Sequence, residues 1–424
     1  MSTTSLLRLT SEEEALLAGE GGEAVRRAMQ IVVTLGRIYD AERLLPVESV
    51  QVAGVSYRNL GDAGLEFLRD WAAQGARVTV PATLNPAGMD MRDWRRMGIS
   101  DEFARRQDEI VRVYAAMGVW PTCTCTPYLV GNVPSFGAHL AWSESSAVCY
   151  ANAVIGARSN REGGPGALAA AICGRTAAYG LHLDAGRVPT HRVRVRCEVR
   201  SPDDFGALGY WVGRQVGGGV PYFEGLDLPA VGAEPSHAMH PEAAVAGDVL
   251  KLLGAALASS GAVALYHVRD VTPEARALPD LCPDDVPVID VDDLAPARAA
   301  LNADADAIDL VVIGCPHASL AEMRRVAAGL RGRRLRTAFW LTTSRRVRDL
   351  AEAEGLVATV EEAGGLVVSD SCVVIAPMSE LPYRTVATNS AKLATYALGH
   401  AGLRARFGAL ELCLDAAVTG RWPA

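Results

Sequence analysis

Apolar residues first recur at helical spacing at Val25, Met29, Val32, Leu35 and Ile38, which places them on one face of an amphipathic helix. A capping-box pattern, Thr10-Ser11-Glu12-Glu13, opens a short acidic helix before it, and Gly21-Gly22 separates the two. The period then alternates. Residues 49–55 read as a strand, 62–74 as a helix closed by Gly75, and 77–80 as a second strand running into a polar loop at 82–86. Helices are expected over 101–117, 143–155 and 165–179, the last two Ala-rich and separated by the loop 156–164. An alternating run follows at 192–196, then a mostly helical stretch at 240–260 and a strand at 262–266. The Pro-, Asp- and Ala-rich segment 273–301 reads as a linker or domain boundary. Beyond it, strands at 309–313, 338–342, 365–368 and 373–375 alternate with helices at 320–330 and 347–354. That is the pattern of a doubly wound, mainly parallel sheet. The fold class is α/β, with regions expected at 1–121, 122–300 and 301–424.

Half of the 424 residues are hydrophobic and 21% are charged, enough to bury a large core in more than one domain. A net charge of −8 weighs against nucleic acid or an anionic membrane as the main partner. The uncharged stretch 252–268 fits a buried helix running into a strand better than a membrane span, which needs about 20 apolar residues. Nine cysteines are too sparse for a disulfide scaffold. Glu12, Glu13 and Glu14 follow the first residues at once, so no signal peptide is expected. A cytoplasmic protein with reduced thiols fits these features.

Three cysteines sit in short polar loops: Cys125 in Thr-Cys-Thr-Cys-Thr-Pro-Tyr, Cys315 in Gly-Cys-Pro-His and Cys372 in Ser-Asp-Ser-Cys. Converging thiolates from such loops can hold an iron–sulfur cluster with one position open. The alternative is three small buried hydrophobes, since no compact C-x-x-C run supports the cluster. Cys123, two residues before Cys125, is not counted as a second ligand of the same metal. Arg158, Asn160 and Arg161 precede a Gly-Gly-Pro-Gly helix start that could clamp a carboxylate or phosphate, or simply carry surface ion pairs. His317 is either an acid/base group or a capping residue. Asn389, Ser390 and Lys392 could bind an anion or position a base; the alternative is an N-capped helix with a solvated lysine. Ser56 and Asn85 lie at two successive strand ends. No Walker loop, nucleophile elbow, H-E-x-x-H or dinucleotide fingerprint is present.

Several strings together resemble the large subunit of the aconitase X family. They are Gly-Val-Ser-Tyr-Arg-Asn-Leu-Gly-Asp-Ala-Gly-Leu-Glu-Phe-Leu (54–68), Thr-Leu-Asn-Pro-Ala-Gly-Met-Asp (83–90), Thr-Cys-Thr-Cys-Thr-Pro-Tyr (122–128) and Trp-Ser-Glu-Ser-Ser-Ala-Val (142–148). Further matches are Gly-Ala-Arg-Ser-Asn-Arg-Glu-Gly-Gly (156–164), Gly-Cys-Pro-His-Ala-Ser (314–319), Ser-Asp-Ser-Cys (369–372) and Thr-Asn-Ser-Ala-Lys (388–392). They run in order over nearly the whole chain. The resemblance implies an aconitase-like, multi-domain large subunit with sheets arranged around a central cluster site. It implies a hydro-lyase in which Cys125, Cys315 and Cys372 ligate a [2Fe-2S], [3Fe-4S] or [4Fe-4S] cluster. It also implies a small swivel-domain subunit that supplies a catalytic serine, here expected as a separate polypeptide in a heterodimer.

Family members dehydrate cis-3-hydroxy-L-proline or mevalonate 5-phosphate. The leading expectation is cis-3-hydroxy-L-proline to Δ1-pyrroline-2-carboxylate. The alternatives are mevalonate 5-phosphate, another β-hydroxy acid, or a silent scaffold subunit. Lys392, Ser390 and His317 are the catalytic candidates; Ser56, Asn85, Arg158, Asn160, Arg161 and Lys392 are the substrate-binding candidates. Gln51, Ala53 and Ala82 depart from the family's usual His, Ser and Thr, and the departures are expected to bear on substrate more than on the cluster.

Overall fold

The computed structural model describes residues 7–231 and 241–423. At the start, Thr10 Oγ1 accepts from the Glu13 N–H and the Glu13 carboxylate accepts from the Thr10 N–H, closing the expected capping box on helix Ser11–Ala18. Helix Glu23–Ile38 buries Ala24, Ala28, Met29, Val32 and Val33 against helix Gly164–Cys173. Its inward stripe is rotated from the one expected, leaving Ile38 exposed.

The first region carries β1 (Leu44–Pro46), β2 (Ser49–Val52), β3 (Ala82–Leu84), β4 (Leu140–Trp142) and β5 (Arg175–Ala177). β2 lies between β3 and β4 and runs parallel to both; β1 and β5 form a separate antiparallel pair. The sheet therefore crosses the boundary expected at 121/122. The second strand is 82–84, not 77–80. Val78 and Thr79 pair with no strand; they donate to the carbonyls of Met117 and Ala171, which lie at the ends of neighbouring helices. The polar-looking 82–84 is a strand because Thr83 turns its hydroxyl onto the Val50 carbonyl and accepts from Asn132, satisfying itself inside the sheet.

The second region carries β6 (His191–Val195), β7 (Pro221–Glu224), β8 (His267–Val268) and β9 (Val288–Val291), all parallel in the order β8-β7-β6-β9. Helices Pro202–Val216 and Pro241–Gly261 supply most of its core; residue 240, the expected start of the latter, lies outside the described residues. Segment 273–301 is not a linker. It holds two short helices and the four-residue edge strand β9, which buries only Val291 and is too short to stand out between its Pro- and Asp-rich flanks. The expected strand at 262–266 is likewise irregular chain leading into β8, with Val263, Leu265 and Tyr266 buried.

The third region carries β10 (Leu310–Ala318), β11 (Ala338–Thr343), β12 (Leu366–Ser369), β13 (Thr385–Thr388) and β14 (Arg404–Phe407). The sheet is fully parallel in the order β12-β11-β10-β13-β14. Strand order reverses between β10 and β13, and a crevice opens at such a switch point beyond the carboxyl ends. Residues 373–375 are a turn leaving Cys372 rather than a strand. Among the described residues, no helix is long and apolar enough to cross a membrane.

Candidate active site

The carboxyl ends of the first and third sheets face one another across a cavity of about 100 Å³. Asn85 follows β3, and Glu144 and Ser145 follow β4. Cys315 lies in the irregular last half of β10, Cys372 follows β12, and Lys392 follows β13. Cys125 comes from the loop after helix Asp101–Ala116, and Pro86, Val374, Ile375 and Tyr396 complete the lining. Cys315 and Lys392 thus flank the switch point of the third sheet.

One ion pair joins the two halves. Lys392 Nζ donates to Glu144 Oε1 and to Ser146 Oγ at 3.1 Å, while Asn85 Nδ2 donates to Glu144 Oε2 at 2.9 Å. Burial alone would push the Glu144 carboxyl up, but the ammonium and these hydrogen bonds outweigh it and hold it at about 2. Burial would likewise favour neutral Lys392; the Glu144 charge and the nearby thiols keep it protonated instead. Asn85 Oδ1 and Ser143 Oγ are buried without a partner, so polar capacity is left over around Glu144.

The three thiols differ. The Cys372 thiol hydrogen-bonds Cys315 and draws its thiol down to about 7, with Lys392 and Ser390 assisting against burial; Cys372 moves up in return. Burial pushes Cys125 up to about 12, although the His317 N–H donates to its Sγ at 3.2 Å. Among the described residues, no three His, Cys, Asp or Glu side chains are disposed to hold a single metal ion. Three thiols spread over one cavity suit a multi-iron cluster, whose thiolates are distributed over its irons. The Lys392 ammonium beside them suits its negative charge. Cys123 is fully buried, does not line the cavity, and sits at φ 43°.

The other expected residues fall in three places. Ser390 caps helix Ala391–Tyr396 through Leu393 N–H at 3.1 Å and touches Cys315; the N-capped alternative is what forms, but its lysine is buried rather than solvated. Ser56 stands behind the wall, donating to the Ile375 carbonyl at 2.8 Å.

The remaining four do not reach the cavity. Arg158 donates to the His182 carbonyl and to Asp184, and Asn160 ties Tyr179 to Leu181. Arg161 lines a separate hollow with Asn160, Leu181 and Thr190. The glycines of their loop serve packing: a Cβ on Gly164 would sit 2.6 Å from the Ala53 carbonyl. His317 is buried with both ring nitrogens engaged, to Thr124 Oγ1 at 2.9 Å and the Ser371 carbonyl at 2.8 Å, so it offers no free acid or base to the cavity.

Gln51 is also out of the cavity. It lies fully buried in β2 and donates to the Thr124 carbonyl at 2.9 Å, so its departure from the family pattern touches the Cys125 loop before it touches substrate. Ala82 is buried in β3. Sequence reasoning missed Glu144 and Tyr396. The signal for Glu144 was a carboxylate directly after an apolar strand and before a helix of small residues, where only a buried cation keeps it ionised.

Three family models, described as the aconitase X first, second and third domains, match residues 6–185, 189–299 and 308–419. The chain is 53% identical over 398 residues to a phosphomevalonate dehydratase large subunit of Methanothermobacter thermautotrophicus, covering 94% of this chain and 95% of that protein. It is 37% identical over 441 aligned residues to a cis-3-hydroxy-L-proline dehydratase of Pseudomonas aeruginosa, covering 100% of this chain and 72% of that protein. Among solved structures, the holo-form of Thermococcus kodakaraensis aconitase X matches with a TM-score of 0.86 at 45% identity, over 97% of this chain and 100% of that one. The first two of these relatives are named dehydratases, which are hydro-lyases. With all three domain models matched in order, the chain belongs to the aconitase X family, as the large subunit of a dehydratase.

Proposed function

We propose that this chain is the large subunit of a phosphomevalonate dehydratase, which eliminates water from mevalonate 5-phosphate together with a small subunit. The observation that carries this is the pairing of identity with length. At 53% identity the chain spans 95% of the archaeal large subunit, whereas the cis-3-hydroxy-L-proline enzyme is 37% identical and extends well beyond the match. The expectation of cis-3-hydroxy-L-proline as leading substrate gives way on that contrast. The scaffold alternative gives way too, since the Glu144–Lys392 pair and all three cysteines line one cavity.

Cys125, Cys315 and Cys372 would hold an iron–sulfur cluster, which when bound supplies a Lewis-acidic iron for a departing hydroxyl. Elimination removes a proton from the carbon beside the substrate carboxylate, breaks the C–O bond at the neighbouring carbon and releases water. Lys392 offers its ammonium to a substrate anion, and Asn85, fixed by Glu144, leaves its unpartnered Oδ1 to accept from the substrate hydroxyl. Neither charged group of the wall is a ready base: Glu144 is held at about 2 and Lys392 stays protonated. That gap supports a small subunit bringing the base to the open side. Anaerobically reconstituted with its small subunit, the chain should dehydrate mevalonate 5-phosphate with a kcat/KM at least about 100-fold above that for cis-3-hydroxy-L-proline. Equal or reversed preference would overturn the assignment.

A further inference from the structure

One imidazole touches all three cysteine loops. His317 lies two residues after Cys315 and is fully buried. Its backbone N–H donates to Cys125 Sγ at 3.2 Å, its Nδ1 meets Thr124 Oγ1 at 2.9 Å, and its Nε2 meets the Ser371 carbonyl at 2.8 Å. A carbonyl only accepts, so Nε2 carries the proton and Nδ1 accepts from the Thr124 hydroxyl. That hydroxyl in turn accepts from the Thr126 N–H at 3.1 Å. Thr124 and Ser371 are the chain neighbours of Cys125 and Cys372. Behind them the chain continues: Gln51 Nε2 donates to the Thr124 carbonyl at 2.9 Å, and Lys251 Nζ, held by Asp248 and Glu322, donates to the His317 carbonyl at 3.4 Å. Gln51, Thr124, Lys251, His317 and Ser371 are each at most 2% exposed. No water competes for these hydrogen bonds, and each lost one leaves an unsatisfied buried group.

We propose that His317 is a positioning residue that staples the loops of Cys125, Cys315 and Cys372 into one ligand set. The inference rests on those cysteines being cluster ligands. Removing a residue that orients metal ligands costs about 10- to 100-fold in metal retention. His317→Leu keeps the approximate volume and breaks both side-chain contacts. Thr124→Val breaks one without touching His317, so it serves where the first variant fails to fold. After anaerobic loading with ferrous iron and sulfide, His317→Leu should release iron to a chelator at least about tenfold faster than wild type, and Thr124→Val by a smaller factor. His317→Asn, which keeps the Thr124 contact, should restore part of the difference. Turnover per bound iron should stay within about threefold of wild type, as for any residue that does not touch substrate.

The metal-free chain gives an independent readout. Amide hydrogen exchange in His317→Leu should rise together at 123–127, 314–318 and 370–373. Wild-type iron release, an exchange rise confined to 314–318, or retained iron with lost turnover would each overturn the staple. A wild-type chain that holds no iron would instead remove the ligand assignment, and the exchange pattern would still decide whether His317 joins the loops.

Discussion

Replacing Glu144 with Gln keeps the shape of the site and removes the charge that Lys392 faces. The two side chains are 14% and 8% exposed, so the pair is almost fully withdrawn from water. The carboxyl falls from an ordinary 4.5 to about 2, which at about 1.4 kcal/mol per unit is about 3 kcal/mol of native-state stability. The upward movement of Lys392 reports the same contact and is not added to it. Between pH 2 and 4.5 the unfolded chain holds a proton that the native chain does not. The contribution is therefore complete above 4.5 and is lost as pH falls towards 2. Glu144→Gln and Lys392→Met should each cost about 3–5 kcal/mol at pH 7, because each strands one buried charge. The double variant strands none and should cost at least about 2 kcal/mol less than the sum. Urea unfolding of the four metal-free proteins, followed by tryptophan fluorescence, gives the cycle. The gap between wild type and Glu144→Gln should be flat from about pH 7 to 5 and then shrink by up to about 1.4 kcal/mol per unit. Additive singles, or a gap that widens in acid, would refute the pairing.

Two further outcomes bear on the site. Cys125→Ser, Cys315→Ser and Cys372→Ser should each lose visible absorption after reconstitution, whereas Cys123→Ala, outside the cavity, should keep it; a coloured, active Cys315→Ser protein sinks the ligand set. Arg158→Ala should leave KM unchanged and cost less than about 1 kcal/mol, because its acidic partner Asp184 is 89% exposed. A tenfold rise in KM would return Arg158 to the substrate site.

How much of this was legible in the sequence depends on whether the deciding contact is local. The doubly wound third region was, because β10, β11 and β12 are apolar strands each followed by a helix or a loop of Gly, Ser and Asp. The three cysteine loops stood out for the same reason. His317 did not, since its partners Thr124 and Ser371 lie 193 and 54 residues away in sequence. Read alone, a loop histidine before a helix is an acid, a base or a cap. Arg158 and Arg161 failed in the opposite way. Composition marks a Gly- and Arg-rich loop as able to bind an anion but says nothing of its direction, and here it turns to Asp184 and a separate hollow. β3 hid behind Thr83 and Asn85, because a buried hydroxyl that bonds within its own sheet looks polar only on paper.

The Glu144–Lys392 contact spans 248 residues and joins the carboxyl ends of two separate sheets. The same two regions are clamped by Asp90, which is 1% exposed, accepts from the Ser369 N–H at 2.7 Å and pairs with Arg345. Arg345 also holds Asp370, whose carbonyl accepts from Ala87 N–H at 2.7 Å. The loop bearing Asn85 and the loop bearing Cys372 are thereby fixed to one another, which sets the cavity walls before any substrate arrives. Among the described residues, Lys392 is the only cation on those walls, and it already faces Glu144. Mevalonate 5-phosphate carries both a carboxylate and a phosphate. One paired lysine can steady one of these groups but leaves the other without a counter-charge, at a cost no buried anion tolerates. On the proposed reading, the second anionic group is met at the open side of the cavity, where the small subunit closes it. Substrate choice within the family then rests largely on what that partner presents, while these walls keep the elimination chemistry constant.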